Sequence, residues 1–506
     1  MAVVQTLLSV MVMILTDIRT VLIGLLVFLL MSWIARCYRD NLRNLPPGPM
    51  SWPLIGCLPQ LIIVGFKTRN IYHSAAQLSD KYGPVCYIPL PFGMTVVLVT
   101  GHKAVYETFT SPKFYQRPPF SHLDNPIELL NGAGIILSTG ESWKEHRRFS
   151  LTVLRSFGVG KRSFEHQIAT ESEYLMQEIR SVRGKPFDQT HLFSNAVSNI
   201  ICSVVFGKRF EYDDPEFRQL LHSFEEILID NPVFEWAFFY VPFFPKGPMP
   251  TLISVLGTFK DIVNKHRDNF DSENMRDYID VYLNAILVTK NQATHTNFSD
   301  IELIAVMFDF FAAGTESTST TLRWALLYML KYPDVQKRVH EEIDSVVGRD
   351  RLPNLSDKPS LPYTVAVINE IQRFGYISSL VIPRYTNEDT NFQGYAIPKG
   401  SFVQPSLYSV TRDSSFWQDP DDFKPERFLD ENGQVMKIPE NMIFGAGKRV
   451  CLGEHLARME LFIFYTNLMH RFNFKKPPGM ESVNIQPKAG GIMTPYPYEI
   501  CAIERY

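Results

Sequence analysis

The stretch FGAGKRVCLG, Phe444 to Gly453, puts a cysteine in a glycine-rich turn beside an arginine and directly before an apolar helix. Cys451 is the only cysteine between residues 203 and 500. A thiol is normally a small core group, and a turn is a poor place to hide one. At the start of a helix its sulfur meets free backbone N–H groups and the positive end of the dipole, which favour a thiolate. Gly445, Gly447 and Gly453 let the backbone approach something bulky, and Arg449 can carry an anionic group. Three chemistries use such a thiolate. A zinc site would enlist His455, but no second ligand pair has suitable spacing. A nucleophile would need an orienting His–Asn set, and none accompanies it. An axial thiolate to haem iron, with Arg449 against a haem carboxylate, uses every feature of the stretch.

A second constellation lies on a long helix, NFSDIELIAVMFDFFAAGTESTSTTLRWALLYMLKYP. Ser299 and Glu302 form an S-x-x-E start and Tyr332–Pro333 a stop. The helix should run about 32 residues, roughly 48 Å. It is apolar around most of its circumference and belongs inside the protein. Its middle, Gly314 to Thr321, nevertheless holds one carboxylate, Glu316, and six hydroxyls. Hydroxyls that bond back to carbonyls loosen a turn. One reading is a backbone bond lost there, with a ligand and water meeting the helix; the other is a small-residue face packed against a neighbour.

Positioning these two pieces takes a large framework. The chain has 506 residues, 45% hydrophobic and 20% charged, enough for one large core. A net charge of −3 gives no electrostatic footprint for nucleic acid or a bulk acidic partner. Six scattered cysteines without a CxxC pair read as thiols in a reducing compartment. Helical apolar spacing recurs over 160–183, 190–207, 215–230, 250–270, 274–290, 300–331, 333–347, 360–375 and 452–470. Residues 83–100 read as two strands around a Pro/Gly turn, and short β-rich pieces return at 381–404 and 484–503. The expectation is one large, mainly α domain with small β-sheets.

Residues 1–45 stand apart. They are apolar almost throughout from Ala2 to Ala35, interrupted by Asp17 and Arg19, and Arg36, Arg39 and Arg43 follow. A cleaved signal carries its positive charge before the apolar run, so this pattern predicts an uncleaved membrane anchor with the domain in the cytosol. Residues 46–56 carry four prolines in eight positions and read as a stiff hinge. Residues 57–506 then form the main domain, which the resemblance described next implies to be catalytic.

The cysteine stretch resembles the haem-binding signature F-x-x-G-x-R-x-C-x-G of the cytochrome P-450 family, filled by Phe444, Gly447, Arg449, Cys451 and Gly453. Other landmarks of that family follow in order. Glu370 and Arg373 in NEIQR match its E-x-x-R pair, with Arg427 of PERF as their partner; the resemblance implies a structural network behind the haem. WKEHRR resembles W-x-x-x-R, so Trp143 and Arg147 would meet a haem propionate. Arg384 would meet the other, with Arg117 a weaker candidate. Ala313 to Ser317 resembles the oxygen-activation motif, with Ser317 in place of the usual threonine. Glu316 and Ser317 would then deliver protons.

The likeness covers residues 46–506 and is nearest the microsomal drug- and steroid-metabolising second family. It implies an α-rich prism around haem b and a monooxygenase acting on a lipophilic substrate. Electrons would come from NADPH through cytochrome P-450 reductase, with cytochrome b5 a second donor. Single-pass attachment to the endoplasmic reticulum membrane is implied too. Lys144, Arg148, Lys448 and Arg458 would face the reductase. The substrate pocket would draw on Phe114 to Ile135, Phe308 to Ala313, Ser378 to Ile382 and Gly490 to Thr494. The aromatic run Asn231 to Pro248 reads equally as a membrane-dipping lid or a buried helix–loop pair. A haem-thiolate isomerase or dehydratase, and a silent haem or sterol binder, are the competing functions; Glu316–Ser317 argues against the isomerase.

Overall fold

A computed structural model describes residues 44–68, 71–119, 132–159, 162–228, 249–291, 296–378, 381–438, 441–488 and 492–506, with short pieces at 18–28, 30–31, 34 and 490. The chain divides into two compact units, one of Met1–Thr100 with Tyr385–Gln404 and one of Gly101–Arg384 with Pro405–Tyr506.

The first unit begins with a helical stretch at 18–28 whose apolar side chains, Leu22, Ile23 and Phe28 among them, are exposed. Among the described residues no helix is long and apolar enough to cross a membrane; residues 1–17 and most of 32–43 lie outside the described set. Helices α1 (Leu58–Thr68) and α2 (Ile71–Tyr82) follow. Strand β1 (Val85–Pro89) pairs antiparallel with β2 (Thr95–Val99) in the register Val85 to Val99. Gly93, at φ 79°, closes the turn between them, as the Pro/Gly signal predicts. Later come β3 (Arg384–Tyr385), β4 (Thr390–Phe392), β5 (Tyr395–Ile397) and β6 (Phe402–Pro405). The sheet order is β1-β2-β6-β3, and β4 and β5 form a separate hairpin. The proline-rich stretch lies along this sheet: Tyr87 N donates to Pro47 O at 2.9 Å. A Cβ on Gly48 would stand 1.8 Å from the Tyr87 carbonyl, so only glycine fits there.

The second unit is helical. In chain order it holds α3 (His102–Thr110), α4 (Gly140–Ser156), α5 (Arg162–Ser181), α6 (Thr190–Val205) and α7 (Pro215–Leu228). Then come α8 (Met249–Asp268), α9 (Tyr278–Asn291), α10 (Asp300–Lys331), α11 (Pro333–Val346) and α12 (Pro362–Gly375). α13 (Leu407–Thr411) and α14 (Glu454–Arg471) complete the set. Strands Phe187–Asp188, Glu499–Glu504 and Phe472–Lys475 form a three-stranded sheet in that order.

The spine is α10, 32 residues long, capped by the Ser299 hydroxyl, which accepts from Glu302 N. Its buried faces pack into an aromatic core, with Phe206 stacked on Phe311 at 5.1 Å and Phe224 tilted on Phe308 at 5.3 Å. α6 approaches closely: a Cβ on Gly314 would lie 2.6 Å from the Ile201 side chain. The spacing-based helices from 162 onward therefore form, with ends moved by a few residues. Residues 274–277 stay outside α9, where Asp277 Oδ1 accepts from Asp280 N and starts the helix later. α14 starts at Glu454 rather than 452, which leaves Cys451 and Leu452 in the turn, with Gly453 as the cap.

Candidate active site

The cysteine turn is closed by a hydrogen bond from Cys451 N to Phe444 O at 2.9 Å. Between them Gly447–Arg449 forms a 3₁₀ turn, and Gly447 sits at φ 70°. A Cβ there would come 2.4 Å from Phe109 O of α3, so this glycine permits both the turn and the contact. The Arg458 guanidinium lies over the Phe444 ring at 4.7 Å. Cys451 is the exposed one of the five free cysteines described; Cys57, Cys86, Cys202 and Cys501 are buried. Protein nevertheless encloses the Cys451 sulfur, and this desolvation holds its pKa above the usual thiol value. Backbone N–H groups of Gly453 and Glu454, and the charge of Arg147, pull the other way. The dipole effect expected from the sequence is present, but burial outweighs it. A metal cation on the sulfur would supply the missing stabilisation of the thiolate.

Four arginines converge near this turn. Arg147, on α4, donates through Nη2 to Val450 O at 2.7 Å, with Trp143 one turn before it. Arg449 lies over the Trp143 ring at 3.9 Å and donates to Ser138 O at 2.7 Å and Tyr115 O at 3.1 Å. Arg117 donates to Ile136 O and to Ile382 O, at 3.0 and 2.6 Å. Arg384 is buried with Nε and Nη1 unpartnered, as is the Trp143 Nε1. None of the four makes an ion pair with a carboxylate among the described residues. Burial first, then the charges of Arg384 and Arg147, lowers Arg449 to about 9. Burial lowers Arg384 to about 10. So much unneutralised buried cation calls for anionic partners. A ligand with two carboxylates around a metal centre fits the cradle and the cysteine together.

The long helix departs from expectation in one respect. It runs unbroken through Gly314 to Thr321, so no backbone bond is lost to make room for water. The hydroxyls do bond back without opening the turn: Ser317 Oγ donates to Ala313 O at 2.6 Å and Thr321 Oγ1 to Ser317 O at 2.7 Å. Ala313 is exposed, and Ala312, Gly314 and Ser317 beside it are half-buried, so this face of the helix is the open one. Thr318 faces elsewhere, bonding the buried Glu460 carboxyl. Glu316 is buried, and desolvation, reinforced by Glu225, raises it to about 7 while Arg323 opposes.

Glu370 and Arg373 form a fully buried bidentate pair, 2.7 and 2.8 Å, on α12. Arg427 Nε joins Glu370 at 3.1 Å, and Arg373 also donates to the carbonyls of Thr411, Pro420 and Asp422.

Sequence reasoning gave Glu302 a place only in the helix start and gave Asp309 no role. Asp309 Oδ2 accepts from Ile135 N and Ile136 N at 2.6 and 2.9 Å, and Glu302 accepts from Gly134 N at 2.7 Å. These two carboxylates of α10 fix the segment whose carbonyls Arg117 and Arg449 hold. The signal was available: Asp309 is a lone acid in the apolar run MFDFFAAG. Of the expected pocket segments, residues 120–131, 379–380 and 491 lie outside the described set, as does the whole of the aromatic run 231–248. His455 brings no metal cluster to Cys451: the one such group among the described residues is His266, Asp277 and Asp280.

Comparison with known proteins agrees with this geometry. The family model described as Cytochrome P450 matches residues 46–502. Human Cytochrome P450 2J2 is 40% identical over 505 residues, spanning 96% of each chain. Rat Cytochrome P450 2J3 is 40% identical at the same coverage, and rat Cytochrome P450 2U1 is 38% identical over 96% of this chain and 94% of its own. The chain belongs to the cytochrome P450 family and is a P450 monooxygenase.

Proposed function

We propose that this monooxygenase holds haem b through Cys451 and inserts one oxygen atom of O₂ into a lipophilic substrate such as a steroid, fatty acid, terpenoid or xenobiotic. NADPH supplies the electrons through cytochrome P-450 reductase, with cytochrome b5 a second donor. The supporting observation is the exposed, enclosed Cys451 thiol beside Arg147 and near three further arginines that lack carboxylate partners. Haem, when bound, supplies dioxygen binding and O–O cleavage, which a thiolate ligand favours.

The chain's own residues do the rest. The N–H groups of Gly453 and Glu454 orient and stabilise the Cys451 thiolate, and Phe444 closes the turn over it. Arg147, Arg384 and Arg449 would neutralise the haem propionates, and Trp143 Nε1, which has no partner of its own, would donate to one of them. Phe308 and Ala312 on α10 present apolar surface that keeps bulk water away from the reacting carbon. Glu316 takes up and releases protons near neutral pH, and Ser317 relays them once its hydroxyl swings off Ala313 O.

Residues 1–45 anchor the enzyme in the endoplasmic reticulum membrane as a single pass with residues 57–506 in the cytosol, and 46–56 join the two. The exposed apolar helix at 18–28 and the arginines at 36, 39 and 43 support this reading. Full-length protein reconstituted with reductase in lipid tests the whole. A lipophilic screen should give substrate-dependent shifts in the haem absorption, NADPH consumption and a hydroxylated product. Substrate rearranged without NADPH, or bound and left unchanged with NADPH, would overturn it.

A further inference from the structure

Between Asp309 and Lys331, α10 carries two charged side chains, Glu316 and Arg323. Seven residues is about two helical turns, so the two lie on one stripe roughly 10 Å apart along the axis. Thr320, four residues after Glu316, lies between them on that stripe. All three are buried, at 3%, 0% and 5% exposure for Glu316, Thr320 and Arg323.

The partners of this stripe are incomplete. Arg323 Nη2 reaches only Pro495 O, at 3.5 Å, and its Nε has no partner. The Thr320 hydroxyl has none either. Among the described residues no carboxylate forms an ion pair with Arg323. Burying a guanidinium without an anionic partner is expensive, and an apolar side chain would fill the same space at less cost. The cation therefore serves something other than packing.

We propose that Arg323 is a positioning residue for Glu316, a fixed cation acting along the Thr320 stripe that keeps the carboxyl able to release and regain a proton. This rests on the proton role proposed above for Glu316. Two charged groups bear on that carboxyl, Arg323 from its own helix and Glu225 from α7, and they act in opposite directions. Arg323 lowers the proton affinity that burial and Glu225 raise. The unpartnered Arg323 Nε–H and Thr320 hydroxyl lie on the same helical stripe as the carboxyl.

The test is infrared difference spectroscopy on the haem-loaded, full-length enzyme, following the Glu316 carboxyl C=O stretch against pH and assigning it by Glu316→Gln. Arg323→Gln should move the midpoint up by about one pH unit. Arg323→Lys should move it up by less, and Glu225→Gln should move it down. If Arg323→Gln fails to load haem, the neutral Arg323→Met decides, since Arg323→Lys keeps the cation. An unchanged midpoint in the neutral Arg323 variant that loads haem would overturn the inference. Peroxide released per NADPH separates this from the underlying reading. If Glu316→Gln leaves that ratio unchanged, the proton role of Glu316 fails; if Glu316→Gln raises it while the Arg323 variants leave the midpoint fixed, only the role of Arg323 fails.

Discussion

Arg147 Nη2 donates a 2.7 Å hydrogen bond to the carbonyl of Val450, the residue directly before Cys451. A helix more than three hundred residues upstream in sequence thus grips the cysteine turn by its backbone, and the Arg147 charge reaches the sulfur. Cys451→Ser should fold yet lose the red-shifted absorption band of the reduced carbon-monoxide complex. Arg147→Ala should keep that band and lose haem faster, by about tenfold, because a bond that orients the ligand is gone. Survival of the band in Cys451→Ser would remove the cysteine from the iron.

The Glu370–Arg373–Arg427 network predicts a stability effect rather than a kinetic one. Arg373 makes five hydrogen bonds from a fully buried position. Removing one partner strands the other charge, so Glu370→Ala should cost about 3–5 kcal/mol of stability. Glu370→Gln should cost less, because its amide oxygen still accepts. Denaturant midpoints of the two variants check this, and equal losses would mean that volume, not charge, matters at this site.

Much of this was legible in the sequence, for identifiable reasons. Long apolar spacing predicted α5 to α12 because burial on one or more faces imposes it, and the S-x-x-E pattern located the start of α10. α1, α2 and α3 were not foreseen. α1 (LPQLIIVGFKT) is apolar without a clean period and leaves Leu58, Ile62 and Ile63 exposed, so no buried stripe marks it. The cysteine turn was readable because residue type and spacing carry its chemistry. The carboxylates that fix residues 134–136 were not, because a backbone N–H partner 168 to 174 positions away leaves no local pattern.

Lys144, Arg148 and Lys448 are exposed and Arg458 partly so, as a docking face for an acidic flavoprotein requires. Two of them already have partners: Lys144 pairs with Glu141 at 2.6 Å and Arg458 with Glu454 at 2.9 Å. Arg148 should therefore matter more than Lys144. Arg148→Glu should slow reduction by the reductase several-fold at low salt and little at high salt, with substrate spectra unchanged. A rate independent of both substitution and salt would place the reductase elsewhere.

Glu316 should leave a mark on stability against pH. Its folded pKa stands at about 7 against an ordinary value of 4.5. Between those values the folded state holds a proton that the unfolded chain has lost, so stability from this group falls as pH rises. Above about 7 the full cost of a buried carboxylate is present. Glu316→Gln removes that slope, and its melting temperature relative to the parent should rise from pH 5 to pH 8. A constant difference across that range would mean that the carboxyl is ionised throughout.

Ser317 carries the last prediction. Its hydroxyl donates to Ala313 O within its own helix, so any role in proton delivery requires rotation about one bond. Serine, without the methyl that restricts threonine, turns easily, and the same freedom makes its delivery less well aimed. Thr318 cannot substitute, because it lies about a hundred degrees around the helix and bonds Glu460. Ser317→Ala should therefore raise hydrogen peroxide per NADPH consumed several-fold and lower product to match, with substrate affinity little changed. Ser317→Thr should release less peroxide than the parent or the same amount. If Ser317→Ala and the parent divide their electrons identically, the proton reaches the site from Glu316 without this hydroxyl, and Ser317 is only a helix residue satisfied by its own backbone.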